Sequence, residues 1–160
     1  ERSLRVLDGA VGVFCAKGGV EVQSETVWRQ ATKYKVPRIA YVNKLDRMGA
    51  NFWACVDQMK TKLRANPVVV TIPAGQDDKL EGIIDLIRMK LITRDLSDKT
   101  HRKFFIEEIP EKYRDEATKR REQMLDGVSA ASDEIMEAVL EGNPVTEEQI
   151  LAALRKGTLD

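Results

Sequence analysis

The stretch RIAYVNKLDRMGA, Arg38–Ala50, decides how this chain reads. An apolar run stops at Asn43, Lys44 and Asp46, three residue types that are poor core material. Two readings compete: the mouth of a binding site, or a polar turn between a strand and a helix.

Upstream, GAVGVFCA (Gly9–Ala16) is a second short apolar run, rich in Val and ended by Lys17-Gly18-Gly19. Both runs suit strands covered on two faces. Between them Ser24 is placed to cap a helix, with Glu25 in the first turn and Lys33 and Lys35 at the end, matching the macrodipole. Pro37 bars its continuation. Strand, crossover helix and strand within about 35 residues make a βαβ unit, so the two strands are expected to be parallel. Downstream, Asn51 to Arg64 reads as a helix with Phe52, Val56, Met59 and Leu63 on one face, a stripe that core packing explains. Pro67 to Ile72 is a further β run, closed by a loop from Gly75 to Asp78.

Beyond about Ala65 the character changes to α+β and surface-rich. Met89–Arg94 and Arg102–Ile109 read as a hairpin joined by LSDKTH. Pro110 opens a charged helix to about Leu125, with Tyr113, Ala117, Met124 and Val128 toward one side. A shorter helix runs from Asp133 to Leu140 and ends at Glu141-Gly142-Asn143. Thr146 with Gln149 three residues on spells a capping box for the last helix.

Composition narrows the function classes. Of 160 residues, 42% are hydrophobic and 32% charged, a globular balance. Lys plus Arg and Asp plus Glu are 26 each, so no global field draws the chain to DNA or acidic lipid, and any contact with an RNA-rich partner must be local. No apolar run approaches a membrane span, and no basic-then-apolar leader opens the sequence. Cys15 and Cys55 lack metal-ligand spacing and read as reduced core thiols of a cytoplasmic protein. ERSLRVLDG looks like the end of a helix stopped at Asp8-Gly9, and the last helix halts at Asp160 with no closing element. The expectation is a piece cut from a longer protein.

In an open parallel sheet, ligands bind outside the carboxyl ends of the strands, where Asn43, Lys44 and Asp46 are expected. Their spelling, N-K-x-D, has the chemistry of a guanine reader. Guanine presents its ring N1–H and exocyclic amine side by side, and one carboxylate, Asp46, accepts both with charge assistance. Adenine offers no such pair, so the carboxylate is left unpaired, at a cost on the order of several kcal/mol. Asn43 reaches the N7 side through its amide and ties neighbouring loops together. Lys44 lays its alkyl stem along the base while its ammonium bonds backbone oxygens of a phosphate loop. The letters Asp46 to Gly49 also spell D-x-x-G, a second-switch signature, but the preceding Asn-Lys favours base reading.

ERSLRVLDGAVGVFCA followed by GGVEVQSETVWRQATKYKVPRIAYVNKLDRMGANF resembles the GTPase domain of bacterial-type translation elongation factor G. The likeness continues more loosely through ANPVVVTIPAGQ, GIIDLIRMK and RKGTLD. It implies an α/β fold: part of a P-loop GTPase parallel sheet carrying an inserted α+β subdomain, called G-prime in that family. The implied division is GTPase-domain sequence over residues 1–65, insert over 66–158, and a return to the GTPase domain at 159–160. It also implies a parent that binds GTP or GDP with Mg²⁺ on the ribosome and couples hydrolysis to tRNA and mRNA movement. Its partners would be ribosomal RNA and, through the insert, the mobile stalk protein of the large subunit, with the helix from Glu111 to Leu125 as the implied contact.

Only Asn43, Lys44 and Asp46 carry over as site residues. The phosphate loop G-x-x-x-x-G-K-[ST] does not occur, nor do the two switches that supply the magnesium ligand and the His beside the attacking water. Ser129-Ala130 follows the helical EQMLDGV rather than a buried strand, so it reads as a helix junction and not the guanine-contacting S-A loop. The expectation is therefore that this stretch alone neither hydrolyses GTP nor binds it tightly, and no catalytic or metal residue is assigned. Two alternatives stand beside this reading: a related ribosomal GTPase of the release-factor-recycling or tetracycline-protection type, and a non-catalytic protein-interaction module. His101, in a polar loop, and Lys119-Arg120-Arg121, among Glu residues, read as solvated groups. Trp28 and Tyr34 read as packing groups.

Overall fold

The computed structural model describes residues 2–160, which divide into two compact units. One holds the chain up to Pro67 with Gln76–Lys79 and Thr158–Asp160; the other holds Val68–Gly75 and Leu80–Gly157. The fold is mixed α/β, with a parallel two-stranded sheet in the first unit and an antiparallel sheet in the second.

In the first unit β1 (Ala10–Cys15) and β2 (Arg38–Asn43) run parallel in a register that sets Ala10 opposite Arg38 and Cys15 opposite Asn43. The crossover helix α1 (Val22–Lys33) and the helix that follows β2, α2 (Phe52–Lys62), cover one face of this pair. Phe14, Val20, Cys55 and Met59 form that core, with Trp28, Val42 and Leu63 packed against it. Trp28 also lies under the Arg38 guanidinium, 4.5 Å from ring centre, while Arg38 Nη1 donates to the Trp28 carbonyl at 3.0 Å. A second cluster joins Leu4, Ala31 and Val36 with Ala10 and Tyr34. Trp28 and Tyr34 are thus packing groups.

Three local expectations give way here. The strands are covered on one face only: Val11, Val13, Ile39 and Tyr41, at alternate positions in matched register, are each more than half exposed. Ser24 does not cap α1. The cap is Glu21, whose carbonyl accepts from Glu25 N at 3.0 Å, because α2 fixes the chain before it: Gln58 Oε1 accepts from Val20 N (2.8 Å) and Lys62 Nζ donates to Val20 O (3.2 Å). The opening stretch is a 3-10 turn, Ser3–Val6, that leaves for extended backbone at Leu7 rather than at Gly9.

The second unit is a four-stranded antiparallel sheet in chain order, β3 (Thr71–Ala74), β4 (Gly82–Asp85), β5 (Lys90–Arg94) and β6 (Phe104–Glu107). The expected hairpin is β5–β6. The expected β run at Pro67–Ile72 becomes paired strand only from Thr71, and β4, within GIID, was not anticipated. Helices α3 (Glu111–Ser129), α4 (Asp133–Glu141) and α5 (Glu147–Leu159) complete it, with α3 one turn longer than its sequence suggests. Val128, Ile135 and Ala153 form a shared cluster, and Ala117, Met124 and Ile150 are also buried. The capping box forms in both directions: Gln149 N donates to Thr146 Oγ1 at 3.2 Å, and Thr146 N to Gln149 Oε1 at 2.9 Å. Arg121 is not simply solvated. Its guanidinium donates to the carbonyls of Leu86 and Ile87, the latter at 2.8 Å, and burial lowers its pKa. It closes the β4–β5 turn with a charge that sequence proximity to Lys119 and Arg120 had masked.

Candidate functional site

The loop from Lys44 to Ala50 leaves the carboxyl end of β2 and is tied down at both ends by Ala16, the residue after β1. Asn43 O accepts from Ala16 N, and Ala16 O accepts from Asn51 N, each at 2.9 Å. Asn51 then caps α2, its side chain accepting from Ala54 N at 3.0 Å. Inside the loop, Arg47 N donates to Lys44 O at 3.2 Å and Ala50 N to Arg47 O at 3.0 Å. Two turns in sequence therefore fold a short, anchored loop rather than a slack one.

Its first residue carries strain. Lys44 has φ 61°, a left-handed conformation that costs a non-glycine residue about 1 kcal/mol or more. Asn43 offsets part of this by accepting from Lys44 N through Oδ1 at 2.9 Å. That contact leaves the Asn43 amide N–H groups able to donate elsewhere. Asn43, Lys44 and Asp46 are all exposed, while Leu45 is half-buried and Ala50 buried, so the loop is pinned by its apolar members and presents its polar ones. Among the described residues Asp46 has neither a hydrogen-bond nor an ion-pair partner. A carboxylate acceptor, an amide donor and an ammonium thus share one strand end, a donor set suited to a flat heterocycle with adjacent N–H groups.

The neighbouring strand end contributes residues that sequence reasoning passed over as a mere terminator. A Cβ built on Gly49, at φ +83°, would lie 3.8 Å from Lys17 Cε, so the Lys17 side chain runs beside the loop. Cys15, opposite Asn43, is half-buried rather than in the core. The backbone N–H groups of Gly18 and Lys17 lower its thiol pKa, with the Lys44 charge adding to them. Burial raises the Cys55 thiol, which is the core cysteine. The available signal was topological: in a parallel pair, residues just after one strand adjoin those just after the other. Two surface clefts of this unit lie along α1, and neither is lined by Asn43, Lys44 or Asp46. Among the described residues no three His, Cys, Asp or Glu side chains gather as a metal site.

The profile of the elongation factor Tu GTP-binding domain matches residues 1–154. The chain belongs to this family. That family is described as a GTP-binding domain. The crystal structure of a Thermus thermophilus protein is similar to 98% of the chain, with a TM-score of 0.81 and 24% identity, a likeness of fold. The chain spans 23% of that protein's length. No helix among the described residues is long and apolar enough to cross a membrane.

Proposed function

We propose that this chain is part of an elongation factor G-like ribosomal GTPase, and that Asn43, Lys44 and Asp46 read the guanine base. The observation that carries the reading is Asp46 itself, an exposed, unpartnered carboxylate at the carboxyl end of a parallel strand, on a loop that accepts backbone strain at Lys44. An unpaired acceptor there meets the paired N1–H and amine of guanine, and discriminates against purines lacking them. Asn43 donates toward the N7 side, and Lys44 supports the base with its stem. Bound GTP would supply the phosphoanhydride that is cleaved. In this reading the Mg²⁺ ion and the phosphates are held by other residues of the parent.

The division of the chain belongs to the same proposal. Residues 1–65 and 159–160 are GTPase-domain sequence and 66–158 the G-prime insert, which would meet the large-subunit stalk protein and ribosomal RNA, with α3 as the contact helix. The uncovered face of Val11, Val13, Ile39 and Tyr41 supports this, since purely parallel sheets are normally covered on both sides by their own domain. The protein would work in the cytoplasm, and the stretch alone would be inactive. The long match across ETVWRQATKYKVPRIAYVNKLDRMGANF favours elongation factor G over the recycling or tetracycline-protection relatives.

Ribosome-stimulated hydrolysis by the complete protein tests the reading. Replacing Asp46→Asn exchanges an acceptor for a donor, so GTP turnover should collapse while xanthosine triphosphate becomes a substrate. Movement of a defined mRNA by one codon should follow the same switch. GTP turnover that survives Asp46→Asn refutes the base-reading role.

A further inference from the structure

Asp46 reads a base only if its carboxylate is held in place, and much of the hold comes from outside the three motif residues. The entry to the loop is set at the end of β2: Asn43 O accepts from Ala16 N at 2.9 Å, and Asn43 Oδ1 from Lys44 N at 2.9 Å. Two turns follow, closed by Arg47 N on Lys44 O and by Ala50 N on Arg47 O. The exit is set by Asn51. Its N–H donates to Ala16 O at 2.9 Å, its carbonyl accepts from Cys55 N at 3.2 Å, and its Oδ1 accepts from Ala54 N at 3.0 Å. One residue thus joins the loop, the chain after β1 and the first turn of α2. The groups it holds are firm, because Ala16 and Cys55 are both buried in packed surroundings.

The side chain keeps Asn51 in this arrangement. Its backbone is extended, at φ −138° and ψ 99°, while α2 begins at the next residue. An N-cap maintains such a break because its oxygen takes an N–H that the helix cannot satisfy. Alanine has no such oxygen. The first turn then frays, or the helix extends backwards by one residue, and either change turns the N–H of residue 51 away from Ala16 O. The exit of the loop is released while its entry stays fixed by the β1–β2 register. Asn43 and Lys44 keep their places, and Asp46, farther along the loop, loses its own.

We propose that Asn51 is the positioning residue for the base-reading carboxylate: its cap on α2 sets where Asp46 sits, and so how sharply purines are told apart. The inference rests on the base-reading role of Asp46. Its consequence is selective. Guanine and hypoxanthine share the ring N1–H, but only guanine adds the exocyclic amine. A wandering carboxylate keeps one hydrogen bond more readily than two aligned ones, so GDP loses more affinity than inosine diphosphate.

Competitive titration of the complete protein with GDP and inosine diphosphate tests this, with far-UV circular dichroism confirming that each variant is folded. The preference for GDP should fall about 5-fold or more in Asn51→Ala, the equilibrium value of a lost cap. Asn51→Gln, an amide of the wrong length for a cap, should behave alike. Asn51→Ser should restore the preference, because Ser132 caps α4 in the same way, accepting from Ile135 N. Gln58→Ala loses the bond from Val20 N farther along α2 and should leave the preference unchanged, which separates positioning from a general loosening of the helix. A preference that both Asn51→Ala and Asn51→Gln leave intact overturns the proposal. So does one that Gln58→Ala lowers equally, or that Asn51→Ser fails to restore. In those cases a GDP preference still abolished by Asp46→Asn leaves the base-reading role standing; a preference that survives Asp46→Asn removes that role and this inference together.

Discussion

Gly19→Ala should be among the most damaging single-atom-scale changes in the first unit. Gly19 has φ +68°, and adding a Cβ in that conformation costs about 1 kcal/mol. The Cβ would also collide with Gln58 Oε1 and lie 2.8 Å from its Cδ and 2.9 Å from its Nε2, so the whole amide must leave. With it goes the 2.8 Å bond from Val20 N, and Val20 is buried, which leaves a donor unpaired at roughly 1–3 kcal/mol. The sum is about 2–4 kcal/mol. Gly49→Ala provides the internal comparison. Its φ is +83°, but the nearest atom to a Cβ, Lys17 Cε at 3.8 Å, is an ordinary contact, so only the backbone cost of about 1 kcal/mol applies. Urea unfolding followed by tryptophan fluorescence reads both, as a drop in midpoint at unchanged slope, roughly twice as large or more for Gly19→Ala. Adding Gln58→Ala to Gly19→Ala should cost little more, because both changes lose the same bond from Val20 N. Equal losses at Gly19 and Gly49, or strict additivity with Gln58→Ala, would refute the view that α2 clamps the chain after β1.

Three further outcomes follow from the structure. Arg121→Ala should destabilise the second unit by about 2 kcal/mol, since two carbonyls at the β4–β5 turn lose a charged donor; a change within about 0.5 kcal/mol, measured by denaturant unfolding, contradicts that. Iodoacetamide at neutral pH should label Cys15 before Cys55, whose thiol is buried and raised in pKa, with mass spectrometry of the peptides showing the order; Cys55 labelled first would count against the placement of either thiol. The β5–β6 loop should loosen in acid. Asp98 accepts from the Thr100 hydroxyl and from the Arg102, Thr100 and Lys103 N–H groups, which hold its pKa at about 2 against an ordinary 3.8. The folded carboxyl titrates below the unfolded one, so its contribution is full above about pH 4 and is lost as pH falls through about 2. Carboxyl and amide chemical shifts should report that midpoint together, and a midpoint near the ordinary value would remove Asp98 as the loop's anchor.

Where local chemistry decides a structure, the chain was readable. β1 and β2, the Asn51 start of α2 and the reciprocal Thr146–Gln149 cap all follow from residues within a turn of one another. Where a partner distant in sequence decides, it was not. GIID, with two apolar residues between Gly82 and Asp85, is too short a run to mark a strand by itself, and becomes β4 because β3 and β5 pair with it on either side. Ser24 is a better cap than Glu21 by type, yet contacts from Gln58 and Lys62, far along the chain, start the helix earlier. Arg121 looked solvated because its carbonyl partners lie 34 and 35 residues away. At the candidate site, the motif letters named Asn43, Lys44 and Asp46. The strain at Lys44 and the approach of Lys17 depend on φ and on the neighbouring strand, neither of which the letters carry.

The most direct test of the guanine assignment is an equilibrium titration of the complete protein with GDP and xanthosine diphosphate, before and after Asp46→Asn. Unmodified protein should prefer GDP by at least about 100-fold, the value of a paired, charge-assisted hydrogen bond that xanthine cannot make, and Asp46→Asn should invert that preference. A preference unchanged by the substitution would contradict the account at its centre.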